Sequence, residues 1–330
     1  MNKNSTPIII TGSHRSGTTW VGNVLRKVEL IYYIHEPLAP NSILRKYYSP
    51  NYWYKYLSPN QTYNKEYILI NNLFKAKYPL NSVFHFKKKL PITDYRNPNN
   101  SQLNKFDYKY LNWRIIAYLD SLKANFFHNN KLPLIPLVKD PSALTSLEWY
   151  YKHWKTRNII LIRHPAAFVS SLKRLNWRFD FDNLLNQPDL VNRFFLDYKS
   201  IMNKRSNDFI SEASLVWLCL TKIIIEYKKL YPNWLYIRHE DLSYDPIKQF
   251  ELLFKKLDLV LTSKVEKFIH ETSDHSNPSD VLNKGKVHQL ERNSRENINN
   301  WKKRLTNKEI KKIHDITEHI SSKFYSDKDW

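Results

Sequence analysis

Short apolar runs recur along the chain, and most are followed by a longer stretch whose apolar positions return every three or four residues. The runs occupy residues 7–11, 30–34, 134–138, 158–162 and 234–237. They are rich in Ile, Val, Leu and aromatics and lack clean polar alternation, the pattern of a strand covered on both faces. The helical stretches lie at 18–27, 143–154, 166–175 and 246–257. Strand alternating with helix predicts an α/β fold, a central parallel sheet flanked by helices in three layers.

Residues 41–130 break this rhythm. The segment KYYSPNYWYKYLSPNQTY is crowded with tyrosine and punctuated by proline. It belongs to a region too long for a plain connection, which reads as a mostly helical, aromatic-rich insertion packed beside the sheet, placed as a lid would be. No internal repeat or low-complexity linker divides the chain, so the expectation is a single domain over residues 1–330 carrying that insertion.

Composition narrows the function classes. With 330 residues and 42% hydrophobic content the chain has enough apolar material for a buried core, which excludes a disordered protein. A net charge of +21 attracts anions: nucleotides, nucleic acid, acidic glycans or lipid headgroups. The lysines are spread along the whole chain, so charge alone chooses none of these. The single cysteine, Cys219, has no partner for an internal disulfide and falls in an apolar helical pattern, as a buried thiol does. No signal-peptide core and no apolar run of roughly 20 residues is present. A cytoplasmic protein without a membrane span is expected, with peripheral membrane contact left open. The histidines lack zinc-site spacing, so no metal is expected.

The most informative stretch is TGSHRSGTTW at residues 11–20, directly after the first apolar run. A strand, a glycine-containing turn and a helix start form a phosphate-binding arrangement, with backbone N–H groups aimed at the anion and the helix dipole behind them. Two of only four glycines in the chain, Gly12 and Gly17, are spent here. The ATP-binding loop needs G-x-x-x-x-G-K-[ST], but Thr18 stands where its lysine belongs and the positive charge is Arg15. A magnesium-nucleotide kinase or ATPase is therefore disfavoured. The run His14-Arg15-Ser16-Gly17-Thr18-Thr19-Trp20 resembles the 5′-phosphosulfate loop of the sulfotransferases, whose donor is 3′-phosphoadenosine 5′-phosphosulfate (PAPS). Cytosolic members of that family usually carry lysine where Arg15 stands, and many bacterial members carry arginine.

A second motif agrees. NIILIRHPAAFVSSL, residues 158–172, is an apolar strand ending in Arg163, then a helix carrying Ser170 and Ser171. A strand-end arginine offers a fork of donors to a phosphate, at the sheet edge where open α/β folds bind ligands. Arg163 and Ser171, eight residues apart, resemble the sulfotransferase motif for the donor's 3′-phosphate. LYIRHEDLSYD at 235–245 is similar to a further family segment, in which Glu240 and Asp241 read as structural caps. Lys284-Gly285-Lys286-Val287 and the stretch from Trp301 resemble the family's late basic loop and final helix, with Arg292 and Arg295 between them as candidate 3′-phosphate contacts.

The resemblance implies a PAPS-dependent sulfotransferase of P-loop-like fold, bacterial or carbohydrate type. Its donor would rest on Arg15, Ser16, Gly17, Thr18, Thr19, Arg163 and Ser171, with Trp20 either against the adenine or in the core. The product would be 3′-phosphoadenosine 5′-phosphate (PAP), and the family needs no metal. Arg15 would also steady the leaving group. For the base that takes the acceptor's proton, Glu36, His35 and Asp140 all stay open. Glu36 follows the second strand, as an acidic residue does in carbohydrate sulfotransferases. His35 adjoins it. Asp140, in Lys139-Asp140-Pro141, ends the strand that bears a histidine in cytosolic members. That histidine is absent here, which favours a hydroxyl or amino acceptor on a glycan or glycolipid over a simple alcohol. A P-loop kinase and a basic nucleic-acid-binding protein remain as competing classes. The first lacks the Walker lysine and the second any recognised nucleic-acid signature.

Overall fold

The computed structural model describes residues 6–40, 42, 44, 47–48, 51–77, 119–120, 122–126, 129–130, 134–204, 206–280 and 290–330. Five strands form one sheet: β1 (Ile8–Gly12), β2 (Ile31–His35), β3 (Ile135–Lys139), β4 (Arg157–Ile162) and β5 (Leu235–Arg238). Their order is β2-β3-β1-β4-β5 and every pairing is parallel. Each lies within one residue of the run that predicted it.

The sheet is covered on both faces. Ile9, Val138 and Ile160 point into one apolar layer. Their neighbours Ile8, Ile10, Leu137, Ile159 and Leu161 point into the other. All five residues of the central strand β1 are buried. Burial of one such aliphatic side chain contributes about 1.5–3 kcal/mol, so a polar residue here would unseat the sheet. The layer around Ile8 and Ile10 also contains α1 (Thr18–Leu25) and the Phe250 and Val265 helices (Pro246–Lys256 and Ser263–Ser273). The layer around Ile9 contains the Phe168 helix (Pro165–Leu175), the long Trp217 helix (Phe209–Leu230) and the Ile313 helix (Asn307–Ser321). Cys219 lies fully buried in the long helix, and burial pushes its thiol up to about 12.

Two expectations are refined. The helix expected at 143–154 begins as a tighter 3-10 segment, Pro141–Ser146, before the α-helix Leu147–Trp154. The cause is the Asp140 carboxylate, which accepts from the Ser142 N–H (2.9 Å) and Ser142 hydroxyl (2.6 Å) and holds the chain in a cap. Of the expected insertion, residues 64–74 form a helix (Asn64–Phe74), and Tyr48, Trp53, Tyr54 and Tyr56 join the core. Residues 78–118 lie outside the described residues, as do Lys284 to Val287.

Candidate functional site

At the carboxyl ends of the strands the loops enclose a cleft. Its wall includes residues of the phosphate-type loop, of the β2 and β3 ends, of the β4 end and of the segment before the last helices. The loop itself is fixed by its glycines. Gly12 leaves β1 at φ +137°, and a Cβ there would sit 2.2 Å from the Leu161 carbonyl oxygen, so only glycine fits. Gly17 caps α1 at φ +92°, and a Cβ there would lie 2.6 Å from His239 Nδ1. The first turn of α1 carries no acidic residue and no side-chain cap. The Trp20 and Val21 N–H groups turn back to the Gly17 carbonyl, which leaves the Thr18 and Thr19 amides to an anion, with the helix dipole favouring one.

The two sequence motifs meet. Arg15 Nε donates to the Ser171 hydroxyl at 3.1 Å, and Arg163 Nη1 donates to the Arg15 carbonyl at 2.6 Å. Arg15 reaches this position from a left-handed backbone, φ 68°. Its guanidinium lies 5.6 Å from the centre of the Trp177 ring. Arg292, also in the wall, comes close enough to Arg163 for the two charges to oppose one another. Burial and neighbouring arginines push both guanidinium groups down to about 10. Buried cations that repel each other are stabilised by an incoming anion.

Behind Arg163 the strand end is braced. Glu240 accepts from the His164 N–H (2.9 Å) and the Tyr325 hydroxyl (2.9 Å), a structural role as the sequence implied. His164 sits among Trp301, Tyr325 and Trp330, with ring centres 5.0, 4.9 and 4.4 Å away. Trp217 Nε1 donates to the Arg163 carbonyl at 2.8 Å.

On the β2–β3 side, Glu36 follows β2 in a left-handed conformation, φ 40°. Parallel pairing sets His35 opposite Lys139, which brings Lys139 Nζ to 2.5 Å from Glu36 Oε1. The lysine side chain is only 3% exposed against 21% for Glu36, so the cleft meets the carboxylate first. Asp140 is fully within the wall; burial, then the nearby Glu36 charge, push its carboxyl up to about 7. Its Oδ2 has no hydrogen-bond partner among the described residues. His35 adjoins Glu36 but is absent from the cleft wall among the described residues. It packs beside Tyr33, ring centres 6.2 Å apart, and burial and Lys139 push it down to about 4, a neutral ring.

A strap from the insertion closes this side. The Trp53 N–H donates to Asn183 Oδ1 (2.9 Å), the Tyr56 N–H to Gln187 Oε1 (2.7 Å), and the Leu57 N–H to the Ser146 hydroxyl (3.0 Å). Gln187 Nε2 donates in turn to the Tyr54 carbonyl at 3.1 Å. Tyr54, at φ 55°, is turned onto the phosphate-type loop, its hydroxyl 2.7 Å from His14 Nδ1. Arg15, Glu36 and Tyr54 all line the cleft in left-handed backbone, which costs roughly 1–3 kcal/mol each and is typical of functional sites.

The remaining expected residues separate. Thr18, Thr19 and Trp20 line the cleft, with Trp20 Nε1 donating to the Thr272 hydroxyl at 3.0 Å and its ring edge-on to Phe250. Trp20 is therefore both a wall and a core residue. The Ser16 hydroxyl is turned back to the Ser13 carbonyl (2.6 Å). Arg295 is directed away: Nε donates to the Tyr244 carbonyl (2.8 Å), with the guanidinium over the Tyr244 ring. Sequence reasoning passed over Trp53, Tyr54, Trp177 and His239. For Trp177 a signal existed, because Asn176 before it ends the preceding helix in a left-handed turn (φ 50°), a role asparagine accepts.

Comparison with known proteins bears on this cleft. A model described as "Sulfotransferase family" matches residues 7–263, a span containing both phosphate-type motifs and the β2–β3 carboxylates. The chain belongs to the sulfotransferase family. Among solved structures it is similar to the sulfotransferase domain from the curacin biosynthetic pathway, with 14% identity and a TM-score of 0.47 over 95% of this chain and 97% of that one. It is also similar to a sulfotransferase from Mycobacterium avium, with 13% identity and a TM-score of 0.43 over 97% and 77% of the two chains. A sulfotransferase from Mycobacterium tuberculosis H37Rv follows, with 14% identity and a TM-score of 0.34 over 80% and 70%. No curated protein sequence matches this one. No described helix is long and apolar enough to cross a membrane.

Proposed function

We propose that the protein transfers a sulfuryl group from PAPS to a hydroxyl or amino acceptor on a glycan or glycolipid, leaving PAP. The observation that carries this reading is the junction of Arg15 with Ser171 and of Arg163 with the Arg15 carbonyl. Arg15 and Arg163, expected at opposite phosphate ends of one donor, both line the cleft, and Ser171 meets Arg15 beside it. The cleft also fits such a group chemically. Arg163 Nε is buried with no hydrogen-bond partner among the described residues, and Arg292 lines the same wall.

PAPS supplies the activated sulfuryl group. Arg15, Thr18, Thr19 and the loop amides hold the 5′ end, and Arg163, Ser171 and Arg292 the 3′-phosphate. Fixed donors of this kind stabilise charge on the leaving side without reorganising. Glu36 takes the acceptor's proton. Lys139 Nζ lies 2.5 Å from that carboxylate and, once Glu36 has taken the proton, is released to face the negative charge in the cleft. Asp140 is the second candidate, since its unpartnered oxygen lies in the same wall. His35 stays a neutral neighbour. Trp53, Tyr54 and Trp177 give the acceptor side aromatic faces edged by polar groups, which suits a sugar ring.

Incubation with PAPS and a panel of glycans and glycolipids, read by mass spectrometry, tests the reading. A sulfated product supports it. Turnover of magnesium ATP with none of PAPS contradicts it.

A further inference from the structure

His239 opens the short helix His239–Tyr244 directly after β5, and its ring is packed against the phosphate-type loop. The side chain lines the cleft and the residue is 8% exposed. Nε2 lies 3.4 Å from the Ser243 hydroxyl. Nδ1, the atom facing Gly17, is buried with no hydrogen-bond partner among the described residues. An orphaned polar atom in a cleft wall marks a contact that a ligand completes.

The charges around the ring are one-sided. The phosphate-type loop brings Arg15, the β4 end brings Arg163, and the segment before the last helices brings Arg292. Thr272 and Ser294, from the elements packed beside them, are neutral. On the histidine's own helix Glu240 is committed to His164 and Tyr325, and Asp241 to Arg238. Among the described residues the charges that act on the ring are those of the three arginines, so burial and like charge keep the imidazole neutral.

We propose that His239 takes up a proton when a polyanionic nucleotide enters the cleft, so that Nδ1–H becomes a donor to that anion only in the bound state. The inference rests on the donor reading above and adds a residue and a proton to it. A nucleotide bearing 5′ and 3′ phosphates reverses the local potential that holds the ring neutral. Charge-assisted donation then replaces an unpaired buried nitrogen. The bound ring holds its proton to higher pH than the free ring, so binding strengthens as pH falls through the bound value. Donor affinity becomes pH-dependent, whereas guanidinium groups alone stay charged throughout.

Calorimetric titration with PAP at pH 7, in two buffers of different ionisation enthalpy, counts the protons. Asp140 also titrates near this pH, so the comparison is between the wild type, His239→Gln, His239→Phe and Asp140→Asn. The expected result is that wild type and Asp140→Asn take up a large fraction of a proton more than either His239 variant. Their PAP affinity also gains up to about tenfold over those variants between pH 8 and pH 6, the gain expected when the free ring titrates well below that range and the bound ring within it. The phosphates of PAP lose protons on binding cations, the opposite sign. Equal proton counts with and without His239, or loss of the uptake in Asp140→Asn alone, overturn the proposal. Should both His239 variants fail to fold, the Asp140→Asn count decides between the two groups. Absence of any PAP binding to the wild type overturns the donor reading instead, and with it this inference.

Discussion

The two sides of the cleft are built by different means. The side formed by β1, β4 and their loops is assembled from two compact motifs, two glycines five residues apart with an arginine between them and an arginine and serine eight apart, which then meet across 148 and 156 residues. Backbone amides and buried guanidinium groups dominate it. The β2–β3 side is made of long-range contacts. Lys139 meets Glu36 across 103 residues, and the Tyr54 strap is held by Gln187, 133 residues away. Under the proposed function, one side serves a fixed polyanion and the other a variable acceptor. A common cosubstrate can be gripped by local motifs, whereas acceptor choice is left to packing between distant segments.

The sharpest break between the two sides should come from Glu36→Gln. Under the proposed mechanism this variant loses about 10²–10⁴-fold in kcat, the usual worth of a general base, while PAP affinity stays unchanged. Activity within tenfold of wild type would move the base to Asp140. Next in size is a pH effect confined to the phosphate side. His164 is pushed down to about 3, chiefly by burial, from an ordinary value of 6.5. A group whose folded value is depressed binds more protons when unfolded. Its neutral form therefore supports the fold above pH 6.5, and that support is lost as pH falls toward 3. At pH 5 the loss is about 2 kcal/mol. Thermal melts from pH 7 to pH 5 should fall steeply in wild type and less so in His164→Phe; parallel curves would remove His164 from the account. The smallest effect probes the seam. Tyr54→Phe removes the hydroxyl that meets His14 Nδ1 (2.7 Å) and the His14 N–H (3.2 Å). A cost of about 1–2 kcal/mol follows, with a several-fold weakening of PAP binding transmitted through the loop. Unchanged PAP affinity would mean that the strap serves the acceptor side alone.

The same division explains what could be read from the chain. All five strands were legible because buried parallel strands are continuous apolar runs, and each was placed within a residue of its position. Their order, with β1 between β3 and β4, depends on pairing across the chain and carried no local signal. Gly12 and Gly17 were legible because only glycine permits their backbone. Arg292 and Arg295 were indistinguishable in sequence. Packing separates them, sending one into the cleft wall and the other onto Tyr244. Glu36 was visible as a strand-end acid, but its pairing with buried Lys139 follows from the β2–β3 register. Trp53 and Tyr54 looked like any residues of an aromatic stretch. Their placement is decided by Asn183 and Gln187, polar residues whose partners are backbone groups far away in sequence.

The central claim is that both motifs grip one donor with phosphates at two ends. It is tested most directly by calorimetric titration with PAP, beside ATP with magnesium, of the wild type, Arg163→Ala and, as a control outside the cleft, Arg295→Ala. The account predicts tight PAP binding, weak ATP binding, roughly 10–100-fold weaker PAP binding in Arg163→Ala from the loss of charged hydrogen bonds, and no change in the control. Binding of ATP as tight as PAP, with Arg163→Ala indifferent to the 3′-phosphate, would contradict it.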